Sequence, residues 1–259
     1  MTRLPRLMVA PNGARRGKAD HPALPITDEE LISTARDCQA AGADGIHLHV
    51  RDEAGDHLID PERYRNLLNR LSKVVPGMYL QVTSESAGCY DAEAQRAMIR
   101  ALRPRHVSVA MREMVRAPED WVAASDFYHW AQSEGVSVQH ILYSPEEVTD
   151  FIAAVDTARI PGRHHLLQLV RGTYAEGSAA ARPLEEYLAP LERAKAYSFD
   201  WMLCAFGDAE TESLVEAVKR GGKARVGFEN SLQNADGTLA PDNAARVREV
   251  HSALCALGL

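Results

Sequence analysis

His47-Leu48-His49 lies in a stretch, residues 43–52, that alternates like a β-strand. Side chains two apart on a strand point to one face. His47, His49 and Arg51 therefore share a face, and Ile46, Leu48 and Val50 share the other. Two imidazoles on one rigid strand face make half of a metal site. The same pattern also suits a strand with two hydrogen-bonded core histidines. Far along the chain, Glu229 follows another strand-like run, residues 224–228. Val226 and Phe228 form its apolar face, so Arg225, Gly227 and Glu229 fall on the other. A carboxylate at that level can complete a His47, His49 and Glu229 set. Two imidazoles and one carboxylate leave a position open for substrate, as catalytic zinc requires. A helix-capping or salt-bridging carboxylate is the alternative for Glu229.

The elements that must bring these residues together alternate throughout. Strands are expected at 7–10, around the His-x-His stretch, and at 79–84, 106–111, 136–142, 165–170, 201–206 and 224–228. Helices are expected at 28–41, 61–74, 91–102, 118–133, 184–197, 210–220 and 242–257, with one more opening at Ser144-Pro145. Thr27-Asp28-Glu29-Glu30 reads as a capping box. Asp60-Pro61 and Ser144-Pro145 each read as a cap followed by proline at the first helical position. Alternating βα units imply a parallel sheet. Eight units in this length predict a (β/α)8 TIM barrel, an α/β fold with one domain over 1–259. A doubly wound open sheet is the runner-up; no Gly-x-Gly-x-x-Gly follows a strand, which weakens its dinucleotide-binding form.

Composition sets outer bounds. Apolar residues make up 46% and charged residues 25%, ordinary for a globular protein. The formal net charge is -7 and no segment is strongly basic, which speaks against a dedicated nucleic-acid binder. Arg15-Arg16-Gly17-Lys18 is the densest basic patch near the N-terminus, either a solvated loop or an anion site. No apolar run reaches the roughly 18–20 residues of a membrane span, and the first residues lack a signal peptide's apolar stretch. Cys38, Cys89, Cys204 and Cys255 form no Cys-x-x-Cys pair and read as reduced thiols of a cytoplasmic protein.

Strand parity sorts the other polar residues. On the third strand Leu80 and Val82 face outward, so Gln81, Thr83 and Glu85 face in. On the fourth, His106, Ser108, Ala110 and Arg112 face in. On the fifth, Gln139 and Tyr143 face in and His140 points away from the centre, which counts against it as a ligand. Three polar inward positions in a row are unusual for a barrel core, and Thr83, Glu85 and Arg112 are site candidates. Each could also merely satisfy the barrel interior.

Four motifs together resemble the β-keto acid cleavage enzymes, whose founding activity cleaves 3-keto-5-aminohexanoate. They are Ala10-Pro11-Asn12-Gly13-Ala14, His47-Leu48-His49-Val50-Arg51-Asp52, Gln81-Val82-Thr83-Ser84-Glu85 and Ala224-Arg225-Val226-Gly227-Phe228-Glu229-Asn230. The similarity runs essentially end to end. It implies a zinc-containing (β/α)8 barrel with ligands His47, His49 and Glu229, and a catalytic Arg225. It implies a substrate-holding hydroxyl at Thr83 or Ser84. Asn12, Ser108 and Arg112 complete the expected substrate-binding set. The implied reaction joins a β-keto acid with acetyl-CoA and gives acetoacetate and a new acyl-CoA, in a homo-oligomer, dimer or tetramer, without nucleic acid or membrane. This chain departs from the family twice. Asn230 stands where many members carry an aspartate that assists proton abstraction, and an amide cannot be an anionic base. Gln139, His140 and Ile141 stand where many carry a glutamate. The base is then Glu85 or a zinc-activated water, or Asn230 orients a water.

On this reading zinc polarises the ketone and stabilises the enolate. The enolate attacks the thioester, the thiolate attacks the original ketone, and a retro-Claisen step separates the products. Arg225 stabilises developing negative charge. The rival is a metal-dependent amide or lactone hydrolase. Such barrels usually carry His-x-His on the first strand and recruit later histidines, whereas here a strand precedes the motif and His140 faces outward. A purely structural zinc would be closed by four protein ligands, and the sequence offers three.

Overall fold

A computed structural model describes residues 2–175 and 181–258. The domain expected over 1–259 includes residues 1, 176–180 and 259, which lie outside the described residues. Eight parallel strands close a barrel. In chain order the strands and helices are β1 (Leu7–Val9), α1 (Asp28–Ala40), β2 (Gly45–Leu48), β3 (Val50–Arg51), β4 (His57–Leu58), α2 (Pro61–Val74), β5 (Tyr79–Thr83), α3 (Ala92–Leu102), β6 (His106–Ala110) and α4 (Met111–Met114). There follow α5 (Trp121–Ser133), β7 (Ser137–Leu142), α6 (Pro145–Asp156), β8 (His164–Arg171), α7 (Leu184–Arg193), β9 (Ser198–Ala205), α8 (Glu210–Lys219), β10 (Lys223–Val226) and α9 (Asn243–Ala256). The barrel runs β1-β10-β9-β8-β7-β6-β5-β2, and β3 and β4 form a separate antiparallel pair.

Local chemistry starts the helices where it should. Thr27 and Glu30 form a reciprocal capping box on α1. Asp60, Asp91, Ser144 and Asp242 each accept a backbone N–H three residues on, at α2, α3, α6 and α9. Outward strand residues, among them Val9, Ile46, Leu48, Val82, Val107, Leu167 and Val226, are fully buried beneath the helices. Burying each such side chain stabilises the fold by roughly 1.5–3 kcal/mol. Leu4, Met8, Leu166 and Met202 plug the opposite, N-terminal end of the barrel.

Several boundaries differ from expectation for visible reasons. The second strand stops at Leu48, because Val50–Arg51 turns away to pair with His57–Leu58. A short helix, α4, takes over at Met111. The expected helix at 118–133 begins as a 3-10 turn at Pro118–Asp120. The helix expected to reach 197 ends at Arg193, with Pro190 inside its last turn. β9 begins at Ser198, where the side chain of nearby Asp200 accepts from Leu4 N at 2.9 Å and pairs with Lys223 at 2.6 Å. Among the described residues no helix is long and apolar enough to cross a membrane.

Candidate active site

His47 lies on β2 and His49 one residue beyond its end. Glu229 is not a strand residue, as parity assumed. β10 stops at Val226, and a turn closed by Asn230 N and Ser231 N on the Gly227 carbonyl swings Glu229 back over the barrel. Gly227 makes this possible with φ +141, and a Cβ there would stand 2.5 Å from the Ala10 carbonyl oxygen. The turn is pinned from behind. Glu210 accepts from Gly227 N at 3.2 Å and from Arg246 at 2.8 Å. Asn243 accepts from Phe228 N and donates to the Pro11 carbonyl. Gly13, at φ +62, lets the β1 loop close on Glu229; a Cβ there would meet Glu229 Cγ at 2.6 Å.

Three ligand-type atoms converge. His47 Nε2 and His49 Nε2 are 3.1 Å apart. Glu229 Oε2 lies 3.7 Å from the first and 3.4 Å from the second. Atoms bound about 2.0–2.1 Å from a tetrahedral zinc stand about 3.3–3.4 Å apart, so the spacing is that of a ligand set. All three residues are buried, and Glu229 Oε2 has no hydrogen-bond partner. A buried, orphaned carboxylate oxygen facing two imidazole nitrogens fits a divalent cation. Burial pushes the His47 imidazolium down to about 3, with the neighbouring Arg225 adding to it, so the ring is neutral and able to ligate. Burial alone would push the Glu229 carboxyl up; the Arg225 guanidinium is the largest opposing cause, and the group is held well below the usual carboxylate range. The residues present therefore fit a metal ion.

Arg225, on the inward face of β10, braces the carboxylate. Its NH2 group donates to Glu229 Oε1 at 3.0 Å, to Asn230 Oδ1 at 3.2 Å and to Cys204 Sγ at 3.3 Å. It is 5% exposed and opens on the cavity. That cavity, about 340 Å³, lies over the C-terminal mouth of the barrel, where such folds hold their chemistry. His47, Thr83, Glu85, Arg112, Arg225 and Glu229 all line it. Its far side is apolar, built from Ala110, Ile141, Val170 and Phe206.

The other expected residues are distributed behind this wall. Asn12 Nδ2 donates to the His49 carbonyl at 2.9 Å and so fixes the backbone of a ligand. Ser84 donates to the Ser108 carbonyl at 3.0 Å, and the Ser108 hydroxyl is buried without a partner. None of these three, nor Asn230, is on the cavity surface. Thr83 Oγ1 accepts from Glu85 N at 3.0 Å. Glu85 lies 3.9 Å from His49 Nε2 and 4.0 Å from Arg15. Burial, with the Glu229 and Glu113 charges, raises its carboxyl above the usual range despite His49 and Arg15. Arg112 stacks 4.0 Å over the Tyr143 ring and pairs with Glu147 at 2.6 Å. Within the basic patch, Lys18 pairs with Glu30 and Arg16 donates to the Phe228 carbonyl, so Arg15 alone of the three reaches the cavity.

Sequence reasoning missed Tyr174, Glu113 and Arg51. Tyr174 sits between Arg15 and Arg16 over the mouth, on a loop that carries no periodic signal. Glu113 accepts from both the backbone and hydroxyl of Ser86. Arg51 donates to the carbonyls of Gly13, Arg16 and Gly55, tying the β1 loop to the hairpin; its place on the face of the two histidines was the available signal. His140 faces outward as parity required, packed between Tyr128 and Phe151.

Comparison with known proteins bears on this site. A family model described as beta-keto acid cleavage enzyme matches residues 6–259. A 3-oxoadipate:acetyl-CoA acetyltransferase of Cupriavidus necator is 27% identical over 253 residues, covering 96% of this chain and 87% of that protein. A 3-keto-5-aminohexanoate cleavage enzyme of Acetoanaerobium sticklandii is 24% identical over 246 residues, covering 92% and 87%. Among solved structures, a ternary complex of ObcA with C4-CoA adduct and oxalate superimposes with a TM-score of 0.70 at 18% identity, covering 92% of this chain and 65% of that one. The chain thus spans just under two thirds of the ObcA chain's length, and that likeness speaks for the fold.

Proposed function

Because the chain belongs to the β-keto acid cleavage enzyme family, we propose that it condenses a β-keto acid with acetyl-CoA and releases acetoacetate and a new acyl-CoA, in a zinc-dependent reaction. The observation that carries this reading is the convergence of His47, His49 and the unpartnered Glu229 Oε2 at the cavity wall, with Arg225 beside them. A zinc ion held by these three residues would supply Lewis-acid polarisation of the substrate ketone. Arg225 keeps a fixed positive charge beside that position and stabilises negative charge developing on substrate oxygen. Glu85 takes the proton from the carbon between the two carbonyls; its place on the cavity wall and its raised carboxyl support the role. Asn230, held by Arg225, orients. Thr83 offers a hydroxyl to the substrate, with Ser84, Ser108 and Asn12 behind it and Arg112 at the rim.

The relatives named above act, by their names, on a 3-oxoadipate and on a 3-keto-5-aminohexanoate, both charged at the far end. In this chain the wall opposite the ligands is Ala110, Ile141, Val170 and Phe206, and Arg112 at its edge is engaged by Glu147. Arg15 and Glu113 line the same cavity, so the part of the substrate that meets those four apolar side chains is expected to be short and apolar. We read the protein as a cytoplasmic homo-oligomer, dimer or tetramer, a reading that rests on the family and is checked by sedimentation. The test of the function is to incubate the zinc-loaded protein with acetyl-CoA and a panel of β-keto acids and identify acyl-CoA products by mass. Acetoacetate should appear only when acetyl-CoA is present. Equal cleavage without the thioester would favour a hydrolase.

A further inference from the structure

A line of buried amides crosses the barrel interior behind the site. His47 Nδ1 faces Gln81 Oε1 at 2.8 Å. Gln81 Nε2 faces Gln139 Oε1 at 2.7 Å. Gln139 Nε2 faces the backbone carbonyl of Leu167 on β8 at 3.1 Å. None of the three side chains is more than 1% exposed. Register builds the line: His47 pairs with Gln81 across β2 and β5, and Gln139 on β7 lies beside Leu166 of β8.

The direction of this line follows from its far end. A backbone carbonyl only accepts, so Gln139 must turn its NH2 to Leu167 and its oxygen to Gln81. Gln81 must then turn its NH2 to Gln139 and its oxygen to His47. An oxygen at His47 Nδ1 requires the proton there. In the neutral ring the lone pair is then on Nε2, the atom that faces His49 and Glu229. If Gln81 turned over, its oxygen would meet the oxygen of Gln139. We propose that Gln139 is a positioning residue that acts through Gln81 to hold His47 in the tautomer with Nε2 free to bind a metal. His49 has no such support, since its Nδ1 has no hydrogen-bond partner among the described residues. In the metal-free protein His49 therefore carries its proton on Nε2, between His47 Nε2 at 3.1 Å and Glu229 Oε2 at 3.4 Å, and it is the ring that changes tautomer when a metal binds. The part of this proposal that concerns affinity rests on the metal-site reading above; the tautomer does not.

Two measurements test it. In metal-free wild-type protein, ring nitrogen chemical shifts should show His47 protonated at Nδ1 and bare at Nε2. The reverse would overturn the proposal. Gln139→Met removes donor and acceptor with little change of shape. Its zinc affinity, read by competition with a chromophoric chelator, should fall about 10-fold or more, within the 10- to 100-fold typical of outer-shell partners. Its metal-free form should show His47 as a mixture of tautomers. Zinc affinity within twofold of wild type, or weaker binding with the tautomer unchanged, would also overturn it, the latter because the loss would then come from packing. If the variant does not fold, the wild-type spectrum decides. If wild-type protein binds no zinc, the functional reading fails, and the same spectrum still settles the tautomer.

Discussion

The barrel buries two histidine pairs. His47 and His49 stand with ring centroids 4.9 Å apart on the inner side of β2. His140 on β7 and His165 on β8 stand 6.4 Å apart on the outer side, among Tyr128, Phe151 and Phe199. Burial pushes His47 down to about 3, His140 to about 3 and His165 to about 4. A depressed pKa therefore does not separate a site from a core, because desolvation acts alike on both. What separates them is company. The inner pair meets a carboxylate oxygen with no donor of its own, an arginine and a cavity. The outer pair also borders a cavity, but it packs among aromatic rings, and among the described residues no carboxylate lines that cavity.

That contrast breaks first at the inner pair. A His47→Ala/His49→Ala variant should bind no zinc and lose all measurable turnover; metal analysis of purified protein is the check, and full zinc occupancy would sink the ligand assignment. Arg225→Ala should lower kcat by roughly 100- to 1,000-fold, the usual cost of removing a donor aimed at a developing oxyanion, with zinc content intact. Glu85→Gln should come next and exceed Asn230→Ala. An amide can only orient, whereas Glu85 is assigned the proton. Activity retained in Glu85→Gln would remove it from the reaction and assign the proton to a metal-bound water or to another residue.

How much of this was readable beforehand depends on the range of the physics. The barrel, the inward face of His47 and His49, and the outward face of His140 follow from period-2 alternation within single strands. Glu229 was reached through the wrong intermediate. Parity put it on a strand, while the protein delivers it by a turn that needs Gly227, Glu210 and Asn243, residues contributed by three separate segments. The Gln81–Gln139 line was legible only as two inward amides. Their partnership depends on interstrand register and on amide orientation, neither of which a single strand encodes. Tyr174 came from a loop and Glu113 from the four-residue helix α4, neither with enough repeating pattern for a period to be read. Asn12 belonged to a recognisable motif, but its contact is with the His49 backbone and became visible only in three dimensions.

The smallest expected effect sharpens the comparison at the outer pair. A buried neutral histidine that must charge on unfolding makes stability pH-dependent. The folded pKa of His140 lies below its unfolded value of about 6.5. Its contribution is therefore fully present above about pH 6.5 and is lost as pH falls toward its folded value of about 3. His165 adds the same sign over a window ending near 4. Between those limits each such ring adds up to one proton to the uptake on unfolding, about 1.4 kcal/mol per pH unit. His140→Leu removes one of these protons. It also removes Nδ1, a buried atom without a hydrogen-bond partner, so stability at pH 7 should be unchanged or slightly higher. Zinc content and turnover should match wild type, because the side chain faces the helices and not the cavity. Denaturant unfolding at a series of pH values from 7 to 4 gives the slope. A shallower acid dependence with full activity would mark the outer histidines as core. An unchanged slope would mean that His140 already takes up its proton in the folded protein, and the shared desolvation that makes the two pairs look alike would not hold.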